Sequence, residues 1–127
     1  MTEKAAKYLS DIQSAICLIE SFLDGFDSFS KYQSDLKTQS AIERQLGIIG
    51  EATNKLRQVD NSVILSHTKQ IVNFRNRLIH SYDSIDASIV WVIAKNHLPV
   101  LKHEINEILS QNNSAYEISP CASLRSK

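Results

Sequence analysis

Leu9, Ile12, Ile16, Ile19 and Leu23 recur at alternating spacings of three and four, which is the period of one face of an α-helix. The spacing predicts a first helix over about residues 3–24. Gly25 then allows a chain reversal, and 26–31 reads as a loop or frayed turn. Ile42, Leu46, Ile49 and Leu56 mark the buried face of a second helix, over about 34–58. Gly47 and Gly50 lie inside it, each costing roughly 1 kcal/mol against alanine; the expected return is close backbone approach by a neighbouring helix. Asp60-Asn61-Ser62 reads as a turn and N-cap, opening a third helix over about 62–80. Asp83, Ser84 and Asp86 cap a fourth, which carries Ile89, Val90, Ile93, Leu98 and Leu101 and resumes through Ile105, Ile108 and Leu109. Pro99 interrupts this last helix, removing a backbone donor and crowding the preceding turn, so a kink or split is expected near it.

Only three glycines and two prolines are present, too few for the turns of a multi-strand β fold. With 43% apolar residues, the chain can bury a core as one all-α domain. The expected architecture is a four- to five-helix up-and-down bundle over residues 1–110. A flexible polar tail over 111–127 follows.

Fourteen basic residues balance fourteen acidic ones, which excludes a globally basic nucleic-acid binder. Any RNA binding must come from a local patch or from a groove built by two chains. Cys17 falls on an apolar stripe and Cys121 in the polar tail. They suggest neither a disulfide framework nor a metal cluster, and they fit a reducing cytoplasm. The chain runs from Met1 straight into an amphipathic pattern, without a signal-peptide core or a spanning apolar run. A soluble, cytoplasmic protein without membrane contact is expected.

The third helix carries the anomaly. On an ideal helix its apolar residues, Ile71, Val72, Phe74, Leu78 and Ile79, cover an arc of roughly 160°. Arg75 projects from the middle of that arc. A guanidinium cannot shed its charge by losing a proton, so it must be paired, or face a cleft or a partner chain. Arg44 and Glu51, seven apart and near one face of the second helix, can each meet Arg75 or stay solvated. Asn76 and His80 are neighbours on the polar side, and His80 stands about 140° from Arg75. The two share a pocket only if the helix ends or bends near His80, or if a second chain completes the site. Histidine transfers protons near neutral pH, arginine offers a fork to a phosphate gaining charge, and RNA carries its own nucleophile in the 2′-hydroxyl. Lys69 and Arg77 are candidate phosphate contacts. His67, His97 and His103 are scattered without metal-ligand spacing, so neither metal nor cofactor is expected.

Phe74-Arg75-Asn76-Arg77-Leu78-Ile79-His80-Ser81-Tyr82 resembles the motif of the HEPN superfamily, and its His-x-Tyr ending resembles the HepT-like toxin branch. Ile48-Ile49-Gly50-Glu51-Ala52 is similar to the Gly-Glu-Ala stretch of that branch, and Val90-Trp91 with Leu98-Pro99 to its last long helix. Ser81 stands where the family commonly has glycine. The resemblance covers roughly residues 5–109. It implies a homodimeric helical bundle with the two motifs meeting across a cleft, acting as a metal-independent endoribonuclease toxin. Arg75 and His80 would be catalytic, supported by Asn76. It also implies a cognate antitoxin, a minimal nucleotidyltransferase that transfers AMP from ATP onto Tyr82. Such a modification would set negative charge and bulk beside Arg75 and His80. Two other readings stand beside the enzyme: a non-catalytic adaptor that binds the nucleotidyltransferase, and a plain structural bundle in which Arg75 is internally salt-bridged. Trp91 reads as core or dimer interface rather than a base-stacking platform.

Overall fold

The computed structural model describes residues 2–66, 68–80 and 86–112, with backbone alone at 78–80 and 112. Every regular element among them is helical: α1 (Glu3–Phe22), α2 (Phe29–Gln33), α3 (Leu36–Val59), α4 (Thr68–His80), α5 (Ala87–Val92), a π-helical turn (Ile93–His97) and α6 (Leu98–Asn112). This is the expected all-α bundle, with α5, the π turn and α6 forming one long interrupted helix. His67, Ser81, Tyr82, Asp83, Ser84, Cys121 and the tail beyond Asn112 lie outside the described residues.

Local chemistry sets most of the helix ends. The Thr2 hydroxyl caps α1 by accepting from the Ala5 amide at 3.1 Å, and the Asp35 carboxylate caps α3 through the Thr38 amide at 3.0 Å. Asp86 caps α5 through the Ser88 amide at 2.9 Å. Each satisfies an amide that the first helical turn would leave unpaired. Gly25 turns the chain after α1 at φ +91°, a conformation that costs a side-chain-bearing residue energy.

The core joins the stripes read from the sequence. Leu9, Ile12, Ile16 and Ile19 of α1, Ile42, Leu46, Ile49 and Leu56 of α3, and Leu98, Leu101 and Ile105 of α6 are all buried. Each such side chain contributes about 1.5–3 kcal/mol relative to exposure. α1 packs on α3 and α6, and α3 packs on α4. Gln13 donates to Asn106 and Lys102 to Glu20 at 2.9 Å; rising numbers on α1 meet falling numbers on α6, so the two helices run antiparallel.

Two sequence expectations need correction. α2 forms where a loop or frayed turn was expected, because the Ser28 hydroxyl caps it and Tyr32 packs into the core. α4 begins at Thr68 rather than near 62. Asp60 folds back on its own loop, accepting from the Ser62 amide, and Ser66 is tied to Glu104 of α6 through its amide at 2.8 Å and its hydroxyl at 2.6 Å. Cys17 is buried in α1, on the apolar stripe read from the sequence, and Cys121 lies outside the described residues.

The interruption at Pro99 takes a specific form. Proline has no amide proton for the carbonyl four residues back, and its ring crowds that turn. The chain widens just before it, and the Leu98 amide reaches the Ile93 carbonyl five residues back, as in a π-bulge. Among the described residues, no helix is long and apolar enough to cross a membrane.

Candidate active site

α4 lies against α3 with Ile71 and Phe74 buried in the shared core, which brings Arg75 to the α3 surface one turn after Ile71. The two helices approach closely at Gly50. A Cβ built there would stand 2.5 Å from Arg75 Cβ, 3.0 Å from its Cγ and 3.3 Å from the Ile71 carbonyl oxygen. Glycine at 50 therefore permits the crossing, as the sequence reading expected of a glycine inside this helix.

The next residue of α3, Glu51, takes the other end of the arginine. Arg75 Nη2 donates to Glu51 Oε2 at 2.5 Å, and Nη1 donates to Asn76 Oδ1 at 3.1 Å. These bonds use two of the five guanidinium N–H groups. The Arg75 side chain is 22% exposed and that of Glu51 46%. The remaining face of the guanidinium borders an open groove of about 650 Å³ between α1 and α3. At that exposure an ion pair contributes only about 0–1 kcal/mol to stability, so its main physical effect is on orientation. The hydrogen bond and charge of Arg75, with a further contribution from the Lys55 ammonium, hold the Glu51 carboxyl below the usual carboxylate range against a small opposing effect of burial. Lys55 Nζ lies 3.7 Å from Glu51 Oε1. Arg44 and Glu43 line the same groove, and burial pushes the Glu43 carboxyl up.

Of the residues read as a site, the structure brings Arg75 and Asn76 together and adds Glu51. Arg44, the other residue weighed as a neighbour of Arg75, is an exposed wall of the groove. Lys55 was not singled out in the sequence; its signal was the Glu51–Lys55 spacing of four on a helix. Arg77 and Lys69 face elsewhere. Arg77 lines a cavity of about 430 Å³ between α4 and α5, beside Phe74 and Ile89, and Lys69 lines one of about 820 Å³ at the start of α4, beside Arg57. The α4 backbone is helical through His80. The His80 side chain and Tyr82 lie outside the described residues. Trp91 packs with Phe29 and Tyr32 at ring-centroid distances of 6.0 and 5.4 Å, on the core side as expected.

Comparison with known proteins returns one consistent answer. A family model described as "Ribonuclease HepT-like" matches residues 12–108. A protein of Thermococcus cleftensis named "Probable ribonuclease HepT" is 34% identical over 105 residues, covering 80% of this chain and 92% of its own. A protein of Methanocaldococcus jannaschii named "Putative RNase" is 35% identical over 103 residues, covering 77% and 90%. Another of that organism with the same designation is 36% identical over 83 residues, covering 65% and 69%. No solved structure gives a significant match.

Proposed function

The chain belongs to the HepT-like ribonuclease family, and from that premise we propose that it is a metal-independent endoribonuclease toxin whose active site is built on Arg75, Asn76 and His80. The observation that carries this reading is the state of Arg75. It is fixed by Glu51 and Asn76 at the edge of a groove, with three of its five donors unused among the described residues. A guanidinium so placed can take a phosphate in a bidentate grip and meet the charge that grows on it during cleavage.

In the proposed reaction the RNA 2′-oxygen attacks the adjacent phosphorus and the 5′-oxygen leaves, giving a 2′,3′-cyclic phosphate and a free 5′-hydroxyl. His80 moves protons at these oxygens, Arg75 holds the non-bridging oxygens, and Asn76 orients Arg75 through its Oδ1. On one ideal helix Arg75 and His80 point about 140° apart, so the working site takes its two groups from a cleft between two copies of the chain. Arg77 and Lys69, in their separate cavities, serve the flanking RNA phosphates. The protein works in the cytoplasm, where RNA is found. Its regulator is a minimal nucleotidyltransferase antitoxin that adds AMP to Tyr82, placing phosphate charge beside Arg75 and His80. Residues 1–110 are the helical domain that carries the active site.

The adaptor reading differs in one outcome. RNA incubated with purified protein in EDTA should yield fragments ending in 2′,3′-cyclic phosphate; no cleavage under any condition, together with a tight nucleotidyltransferase complex, would favour the adaptor. Incubation with that partner and ATP should add mass in units of AMP, and Tyr82→Phe should abolish the gain.

A further inference from the structure

Successive residues of α3 hold both ends of Arg75. Gly50 lets the base of the side chain seat against the helix, where any Cβ would collide with Arg75 Cβ. Glu51 binds the tip at 2.5 Å. Glu51 is itself steadied, since its second oxygen faces Lys55 at 3.7 Å. A free arginine side chain carries about 2 kcal/mol of rotamer entropy, and an anchored one has already lost most of it before substrate arrives. The pair is too exposed to serve mainly as a stabiliser. Its carboxylate, with those of Asp11 and Glu43, also offsets positive charge at a groove that Lys7, Arg44, Lys55 and Arg75 line together.

Resting on the reading of Arg75 as the phosphate ligand, we propose that Glu51 is a positioning residue of the cleavage reaction. It aims the Arg75 guanidinium and moderates ground-state attraction for RNA. Removing its charge has two separable consequences. The groove becomes more cationic, so RNA binds more tightly and with a steeper salt dependence, by about 0.7 in the logarithmic slope for a single strand. Arg75 loses its anchor, so the geometry needed in the transition state is reached less often, and displacements of about 1 Å can cost up to about 100-fold. A residue needed only for the fold would produce neither the tighter binding nor the steeper slope.

Steady-state cleavage of a single-stranded RNA oligonucleotide in EDTA tests this with wild type, Glu51→Gln and Glu51→Asp, each checked for folding by circular dichroism. Glu51→Gln is expected to lower kcat by about tenfold or more while KM falls. Glu51→Asp keeps the charge on a shorter arm and is expected to lower kcat with KM near wild type. Unchanged kcat in both variants overturns the proposal, as does a rise in KM alone, or unfolding of both variants at the assay temperature. If wild type cleaves RNA and Glu51→Gln matches it, only this proposal fails; if wild type cleaves nothing, the reading beneath it fails and the proposal falls with it.

Discussion

A side chain on Gly50 would stand 2.5 Å from the Cβ of Arg75, so the α3–α4 crossing and the placement of the arginine depend on the same missing atom. Gly50→Ala should gain about 1 kcal/mol of helix propensity but incur an overpacking cost of about 1–3 kcal/mol, because the struck atom belongs to the root of the side chain and cannot swing away. Net destabilisation in urea unfolding is expected, with a loss of RNA cleavage larger than the loss of fold. A variant as stable and active as wild type would show that α4 can move aside freely.

Tyr32 should repay removal of its hydroxyl. The residue is 1% exposed and its Oη has no hydrogen-bond partner among the described residues; a buried unsatisfied polar group costs about 1–3 kcal/mol. Tyr32→Phe is expected to raise the denaturation midpoint. Burial, then the Glu43 charge, push the Tyr32 phenol above its ordinary 10.0. A raised pKa means that the folded state retains the proton, so this contribution is complete below pH 10.0 and is lost as pH rises toward the folded value. Tyr32→Phe should therefore show a smaller loss of stability above pH 10 than wild type.

Acid should destabilise the fold. Glu51 is depressed from 4.5 by Arg75, and Asp35, Asp60 and Asp86 from 3.8 by hydrogen bonds from Thr38, Ser62 and Ser88. Depressed carboxyls give stability that is present above the unfolded values and lost as pH falls through the folded ones. Glu43, raised by burial from 4.5, acts in the opposite direction. The melting temperature should fall as pH drops below about 4.5; a rise there would contradict the assignment.

Glu104 should govern how firmly α4 starts. Its carboxylate receives both the amide and the hydroxyl of Ser66. Glu104→Ala is expected to speed hydrogen exchange at Val63–Ser66 by up to about tenfold, the effect of a bond to a charged group weakened by its exposure. Exchange rates equal to wild type would show that the loop is held by Val63 and Leu65 alone.

The helices were legible because their burial is periodic: each residue of the α1 stripe and each marked residue of α3 is in the core. The conflict at Arg75 was legible for the same reason, since a permanent charge on an apolar arc requires a partner or a cleft. The identity of that partner was not. Glu51 and Arg44 share a face in sequence, and only the crossing at Gly50 decides which one reaches Arg75. The start of α4 was hidden because Ser66 bonds to Glu104, thirty-eight residues away, and no local pattern encodes such a tie. The π turn was visible only as a disturbance near Pro99, because proline forbids the regular ladder without specifying its replacement.

The most direct measurement is single-turnover cleavage of RNA in EDTA by wild type, Arg75→Ala and His80→Ala, with folding of all three confirmed by circular dichroism. The account predicts cleavage by wild type and a loss of at least about 100-fold in each variant, the scale of removing one acid–base or charge-stabilising group. Cleavage by both folded variants at the wild-type rate would contradict it.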